Sequence, residues 1–319
     1  SLEIMPATRK HLMEKGGYLT NYMVNTPICC PSRTEFFSGR YFHNLQASKQ
    51  PDPAKANDCM HADTNFVSNN NTGMFGILKG QGYNTGVFGK VTNDQHAGIS
   101  KKGSVDILAR LIASKSVDYI DAPLLINDYD GDKYLRFDAS DGKAAWTETI
   151  SADKPVFGTP YQTTQIGNRT LRWLDSALKD ERPFFAYIGP HAPHYPAYPA
   201  PWYETAFSDV TIPITPNYNY SCEAKAQHVR QNPALNDRVR CWENQHFRDR
   251  WRSLLSVDDI VSDVVEKLEK AGVMDSTYFV YSSDHGYKQG QWRLGTSKQH
   301  PYETDIRVPL IVRGPGVQP

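Results

Sequence analysis

Three apolar runs, each handing over at once to a chemically loaded loop, are the strongest constraint on how this 319-residue chain folds. Asn84 to Phe88 leads into Gly89-Lys90, and Pro183-Phe184-Phe185-Ala186-Tyr187-Ile188-Gly189 leads into His191-Ala192-Pro193-His194-Tyr195-Pro196. Thr277 to Tyr281 leads, after two serines, into Asp284-His285-Gly286. Short apolar runs bounded by Gly, Pro and Ser read as buried strands. Helical spacing separates them. It covers Met5 to Lys15, stopped by Gly16-Gly17, then Met74 to Lys79 and the amphipathic Gln162 to Leu178. A long helix through Trp251, Leu254, Leu255, Ile260, Val261, Val264, Val265 and Leu268 ends at Gly272. Tyr18 to Val24 and Val308 to Val312 add strands. Strands alternating with helices predict an α/β fold with a mixed, largely parallel sheet sandwiched by helices, its function in loops at the carboxyl ends of strands.

The intervening stretches are harder to read. Residues 44–72 are polar and rich in Asn, Asp, Ser and Pro, as in a surface excursion. Residues 93–160 do not divide into periodic elements, and residues 205–246 read as irregular. The 35 basic and 35 acidic side chains balance, so nothing favours nucleic acid or an anionic membrane as a general partner, and any anion specificity must be local. No apolar run reaches the length of a membrane span, and Ser1-Leu2-Glu3 is not a signal peptide. Five cysteines, an odd count, suit one reactive residue plus at most two disulfides in an oxidising compartment. Sequons at Asn70, Asn168 and Asn219 permit glycosylation of a secreted chain.

The sharpest local signal is Cys29-Cys30-Pro31-Ser32-Arg33, followed by Ser38-Gly39-Arg40. A fixed C-x-P-S-R string occurs by chance in on the order of one in a thousand chains of this length. Proline is tolerated in a first helical turn, so the segment predicts a helix with Cys29 at its positive N-terminal end, a position that favours an anion. Read alone, the same residues also fit a buried thiol pair beside a turn proline. Asp284-His285-Gly286 alone fits a capped turn, and His191 a loop histidine bonded to backbone.

The pattern as a whole resembles the type I, formylglycine-dependent sulfatases. It is most similar to the branch of N-acetylglucosamine-6-sulfatases and extracellular heparan 6-O-endosulfatases. The resemblance rests on Cys29 to Arg33, Gly39-Arg40-Tyr41, His43-Asn44, Gly89-Lys90 and Pro193-His194. It continues through Arg250-Trp251, Leu254 to Asp259, Asp284 to Tyr287, Tyr302-Glu303, Asp305 to Pro309 and Arg313-Gly314-Pro315. It implies an alkaline-phosphatase-like fold and hydrolysis of a sulfate ester on a carbohydrate, such as a 6-O-sulfated hexosamine. Cys29 would be oxidised to formylglycine by the formylglycine-generating enzyme. Arg33, Lys90, His194 and Lys298 would complete the catalytic set, and calcium would be held by Asp284 and His285 with an oxygen of the modified Cys29. His191, Tyr195 and Trp292 are candidates for substrate contact, the last two by stacking on sugar rings. A secreted or lysosomal location follows from the same resemblance.

Two departures stand out. Many relatives carry a histidine where this chain has Thr92, leaving His43 and His191 as substitutes for the base. The family's first strand carries paired aspartates, and no Asp precedes Cys29. Residues 1–319 are therefore expected to be a sulfatase catalytic domain lacking its first strand and its smaller C-terminal subdomain. The alternatives are a non-catalytic glycan-binding homologue and a phosphate-ester hydrolase of the same superfamily.

Overall fold

The structure is a computed structural model, described for residues 2–45, 73–93, 107–123, 129, 134–141, 143–147 and 161–319. Helix α1 (Pro6–His11) opens with proline at a position that needs no amide hydrogen bond. Its free first-turn donors are taken by a distant carboxylate: the Ala7 and Thr8 amides and the Thr8 hydroxyl donate to Asp258 at 2.9, 2.7 and 2.7 Å. Strand β1 (Gly17–Met23) follows, and then α2 (Cys29–Ser38), which Gly39 ends in the left-handed conformation at φ 66°. The helix thus begins at Cys29 itself, with Pro31 inside its first turn.

Helix α3 (Met74–Gly80) leads into β2 (Asn84–Gly89), buried along its whole length. Within residues 93–160, which carry no clear periodic signal, lie α4 (Ile107–Ala113), β3 (Tyr119–Pro123), β4 (Tyr134–Asp138) and β5 (Lys143–Thr147). Helix α5 (Gln162–Ala177) and β6 (Phe184–Gly189) match expectation. After the short α6 (Gln227–Arg230) comes α7 (Asp237–Lys270), a single helix of 34 residues. It starts well before the apolar stripe at Trp251, because Asn236 caps it by accepting from the Val239 amide at 3.0 Å. Its first turns carry too few apolar residues to show a stripe. Strand β7 (Phe279–Ser282), α8 (Glu303–Ile306) and β8 (Arg307–Arg313) complete the described elements. The expected excursion at residues 44–72 falls mostly outside the described residues.

The strands form two sheets, ordered β5-β4-β3-β2-β6 and β1-β8-β7. Among the described residues, β2 pairs parallel with β3 and β6 and the other pairings are antiparallel, so the sheet is mixed, with its parallel part at the site. One face of the larger sheet packs Phe88 and Tyr119 against Ile166, Trp173 and Leu174 of α5 and Ile260, Val264 and Leu268 of α7. The other packs Val87, Ile120 and Leu135 against Phe37 of α2, Phe75 of α3 and the leucines of α4. Helices on both faces make the α/β sandwich and aim β2, β6 and β7 toward one end. Phe184, Ala186 and Ile188 of β6 and Phe279 of β7 pack against the same cluster as Phe88 and Trp173. Among the described residues, each of these two strands has one edge with no hydrogen-bonded neighbour.

Candidate active site

Glycines bring the carboxyl ends of the parallel strands close enough to build a site. Gly89, at φ 92°, lies so near the Gly189 backbone that a Cβ there would collide with the Gly189 carbonyl. The close approach lets the Lys90 amide donate to Gly189 O at 2.7 Å, turning the chain so that Lys90 enters the interior. Strand β6 exits into the segment carrying His191 and His194, and β7 exits into Asp284 and His285. The first turn of α2 faces them.

Cys29 Sγ is the meeting point. Lys298 Nζ donates to it at 2.7 Å, and His285 Nε2 lies 3.6 Å away. Lys298 Nζ also reaches His285 Nε2 at 3.0 Å. His285 Nδ1 lies 2.8 Å from Gly286 O, which holds the ring with Nε2 toward the thiol. Arg33 is held as a three-armed brace. Its Nε donates to Val91 O at 2.6 Å, one terminal nitrogen to Asp284 Oδ2 at 2.5 Å, and the other to Asn93 Oδ1 at 2.9 Å. The Ser32 hydroxyl fixes the Asp284 carbonyl.

Three cations therefore converge on one small volume, and the titrating groups respond. Burial alone would raise the Cys29 thiol. Hydrogen bonds from His194 and His285, with the charges of Lys90 and Arg33, bring it down to about 3 instead. Lys90 falls to about 8, first through burial and then through the Arg33 charge. Burial also opposes ionisation of Asp284, but His285, Arg33, Lys298 and Lys90 hold it well below the usual carboxylate range. Three cations around the first residue of a helix are an arrangement able to hold an anion there.

Of the residues singled out from sequence, Cys29, Arg33, Lys90, His194, Lys298, Asp284 and His285 come together here. His194 is lowered by burial while its hydrogen bond to Cys29 pulls the other way, and its Nδ1 lies 2.6 Å from the Tyr195 carbonyl. His191 is buried behind it, with ring centroids 4.7 Å apart, and burial takes it to about 2. It is a neutral ring edge-on to Tyr129 at 4.8 Å, behind His194. His43 is exposed and stacks on Tyr41 at 5.6 Å. Trp292 lies elsewhere: Lys225 Nζ sits 3.6 Å over its ring, Tyr220 packs at 6.2 Å, and its amide donates to Asn217 O. An ammonium already covers the face a sugar would need. The indole close to the His194 segment is Trp242, whose ring centroid lies 6.4 Å from that of Tyr195. It and His246, one turn further on, lie in residues 205–246, where the sequence shows no helical periodicity. The Trp-x-x-x-His spacing was the available signal.

Asp284, His285 and Cys29 bring potential ligand atoms within 4.8 Å of one another. They offer one carboxylate, one imidazole nitrogen and one sulfur, whereas calcium takes about six to eight oxygens. The carboxylate is already paired with Arg33, and Lys298 sits on both the sulfur and the imidazole. Among the described residues these three supply fewer oxygen donors than calcium takes. Cys30 is disulfide-bonded, whereas Cys29 is a free cysteine.

Comparison with known proteins agrees with this geometry. The family model described as Sulfatase matches residues 1–319. The chain is 33% identical over 321 residues to N-acetylglucosamine-6-sulfatase of Bos taurus, covering 98% of this chain and 52% of that protein. It is 29% identical over 324 residues to the extracellular sulfatase SULF-1 homolog of Drosophila melanogaster, covering 100% of this chain and 26% of the relative. The chain thus spans about half the length, or less, of these relatives. A structure solved with its substrate D-glucosamine-2-N,6-O-disulfate superposes with a TM-score of 0.72 at 19% identity, over 98% of this chain and 66% of that one. The phosphonate monoester hydrolase of Agrobacterium radiobacter superposes at 0.60 with 16% identity, over 98% and 63%. With C-x-P-S-R opening the helix that faces a ring of cations, and the family model matched from end to end, this chain belongs to the sulfatase family.

Proposed function

We propose that this chain forms the catalytic core of a hydrolase that removes sulfate from a carbohydrate, a 6-O-sulfated hexosamine or similar sugar, through a formylglycine made from Cys29. The observation that carries the reading is the position of Cys29, at the first residue of α2 with the Lys298 ammonium on its sulfur and Lys90, Arg33 and His194 around it. Relatives named N-acetylglucosamine-6-sulfatase, and the glucosamine disulfate bound in the similar structure, support the sugar.

Converted to formylglycine, residue 29 would supply a hydrated aldehyde, two hydroxyls on one carbon, one to attack sulfur and one to expel the sulfate. The chain's own residues do the rest. Lys90 and Lys298 place ammonium groups where sulfate oxygens gain charge in the transition state, and Arg33 fixes Asp284 and the Val91 turn so that the cations keep their spacing. In the resting pocket, burial and the nearby lysines keep His194 neutral. A bound anion reverses that balance, so His194 takes up a proton with the substrate and delivers it to the departing sugar oxygen.

The chain would act as a catalytic domain in a secreted or lysosomal protein, matured by a formylglycine-generating enzyme. Mass spectrometry of the Cys29 peptide from the native host is the test. An aldehyde at residue 29 is expected, and a thiol there sinks the mechanism. Equal turnover of aryl phosphate and aryl sulfate, surviving Cys29→Ser, would instead make this a phosphate-ester hydrolase. Sulfated-glycan binding without turnover would make it a non-catalytic glycan-binding homologue.

A further inference from the structure

The chain that delivers His194 to the anion pocket continues directly onto the surface at Tyr195, and there it meets α7. Tyr195 is 54% exposed and Trp242 is 45% exposed, so two large aromatic faces stand in solvent beside the pocket. Their centroids are 6.4 Å apart and their planes are inclined by 46°, which makes an open corner. Trp242 cannot swing freely, because His246, one helical turn on, stacks beneath it at 5.1 Å and 13°. His246 is 4% exposed, lies 5.7 Å from Tyr195 and is kept uncharged by burial and by Arg250. Tyr287 packs against it at 6.0 Å, two residues beyond His285, and Arg250 lies over the Tyr287 ring at 4.0 Å. The corner therefore rests on the same buried support that carries the proposed catalytic loops, and Arg250 also reaches the Pro193 carbonyl at 3.4 Å.

We propose that Tyr195 and Trp242 form a glycan subsite that stacks the sugar ring next to the sulfated one, so that the protein prefers an extended sulfated oligosaccharide to a single sugar. Continuity with the anion pocket selects this occupant: the wall begins one residue after His194, and the carbonyl of Tyr195 itself holds the His194 ring. Size agrees, since two exposed rings match the apolar face of one pyranose and fall far short of the roughly 800 Å² that each partner of a stable protein interface buries. Fixed aromatic faces gain contact without the entropy cost of ordering flexible side chains.

The inference rests on the sulfatase reading, and the test separates the two. In the full-length protein, kcat/KM is measured for a 6-O-sulfated glucosamine-containing tetrasaccharide and for 4-nitrophenyl sulfate. Trp242→Ala is expected to lower the value for the tetrasaccharide about tenfold more than for the aryl sulfate, mainly through KM, and Trp242→Phe to restore most of the difference. Equal losses on both substrates, or a Phe variant as weak as the Ala variant, overturn the subsite. If the wild-type protein hydrolyses neither substrate, the sulfatase reading has failed. Direct titration of the same tetrasaccharide by intrinsic fluorescence still decides the subsite: weaker binding by Trp242→Ala supports it, and unchanged binding removes it.

Discussion

Lys288 Nζ donates to Asp305 Oδ2 at 3.0 Å, with the side chains 1% and 0% exposed, and the same ammonium donates to the Lys298 carbonyl at 3.1 Å. Asp305 in turn accepts from the His300 amide at 2.9 Å and the Thr304 hydroxyl at 3.0 Å. The buried pair is thus a clamp on the loop that places the Lys298 ammonium on Cys29. Burial lowers Lys288, and its hydrogen bond and charge pairing with Asp305 offset part of that. Lys288→Met leaves Asp305 as an unpaired buried charge and is expected to cost about 3–5 kcal/mol of stability, read by urea denaturation. The Lys288→Met/Asp305→Leu double variant should recover much of that loss, because removing both charges removes the desolvation penalty. A single variant within about 0.5 kcal/mol of wild type would show that the pair holds nothing.

Cys29, in protein where it remains a thiol, is expected to react as a thiolate far below the ordinary range. With Cys222 and Cys241 replaced by serine, the rate of alkylation by iodoacetamide should stay flat from pH 8 down to about pH 4, because the thiol is held at about 3. An unperturbed thiol would slow about tenfold for each pH unit below about 8.5. The same ionisation has a stability signature. The folded value lies below the unfolded reference of 9.0, so the contribution is complete above pH 9 and is lost as pH falls from 9 to about 3. A rate that falls steadily from pH 8 would mean that the converging cations do not act on this sulfur.

His194 is assigned to proton delivery, so its importance should depend on the leaving group. His194→Ala is expected to lower kcat/KM on a sulfated sugar, whose alkoxide needs a proton, by about 10²–10⁴. On 4-nitrophenyl sulfate, whose phenolate leaves unassisted, the loss should be much smaller. Equal losses would reassign His194 to holding sulfate.

Much of this site was legible because its residues sit immediately after apolar runs. Lys90, His194 and Asp284 each follow a strand whose composition announces it, and Cys29 lies in a string too specific to arise often by chance. What was illegible has a physical cause in each case. Strands β3 to β5 are only five residues each, and β3 is buried at every position, so no polar and apolar alternation marks it. The first turns of α7 are polar because few of their side chains reach the core, so nothing marked Trp242 and His246 as neighbours one turn apart. Trp292 is adjacent in sequence to segments that match the family. In space the turn carries it to Asn217 and Lys225, a pairing 67 or more residues away that no local pattern encodes.

The donor set at Cys29 makes a prediction about metal. A calcium ion needs hard oxygen donors and tolerates few cations beside it. In this pocket the one carboxylate of the set, Asp284, is bonded to Arg33 at 2.5 Å, and Lys298 occupies the space between the sulfur and His285. Binding calcium here would set a dication against three cationic side chains while satisfying only a fraction of its coordination. Calorimetric titration of the 319-residue chain with calcium is therefore expected to show no saturable heat at concentrations up to about 1 mM, where even weak extracellular sites fill. EDTA should leave its thermal midpoint unchanged for the same reason. Asp284→Asn provides the control: it removes the carboxylate charge that any dication would require, and with no ion bound it should lose only the pairing with Arg33. Saturable calcium binding to the wild-type chain that disappears in Asp284→Asn would show that Arg33 and Lys298 yield to the metal.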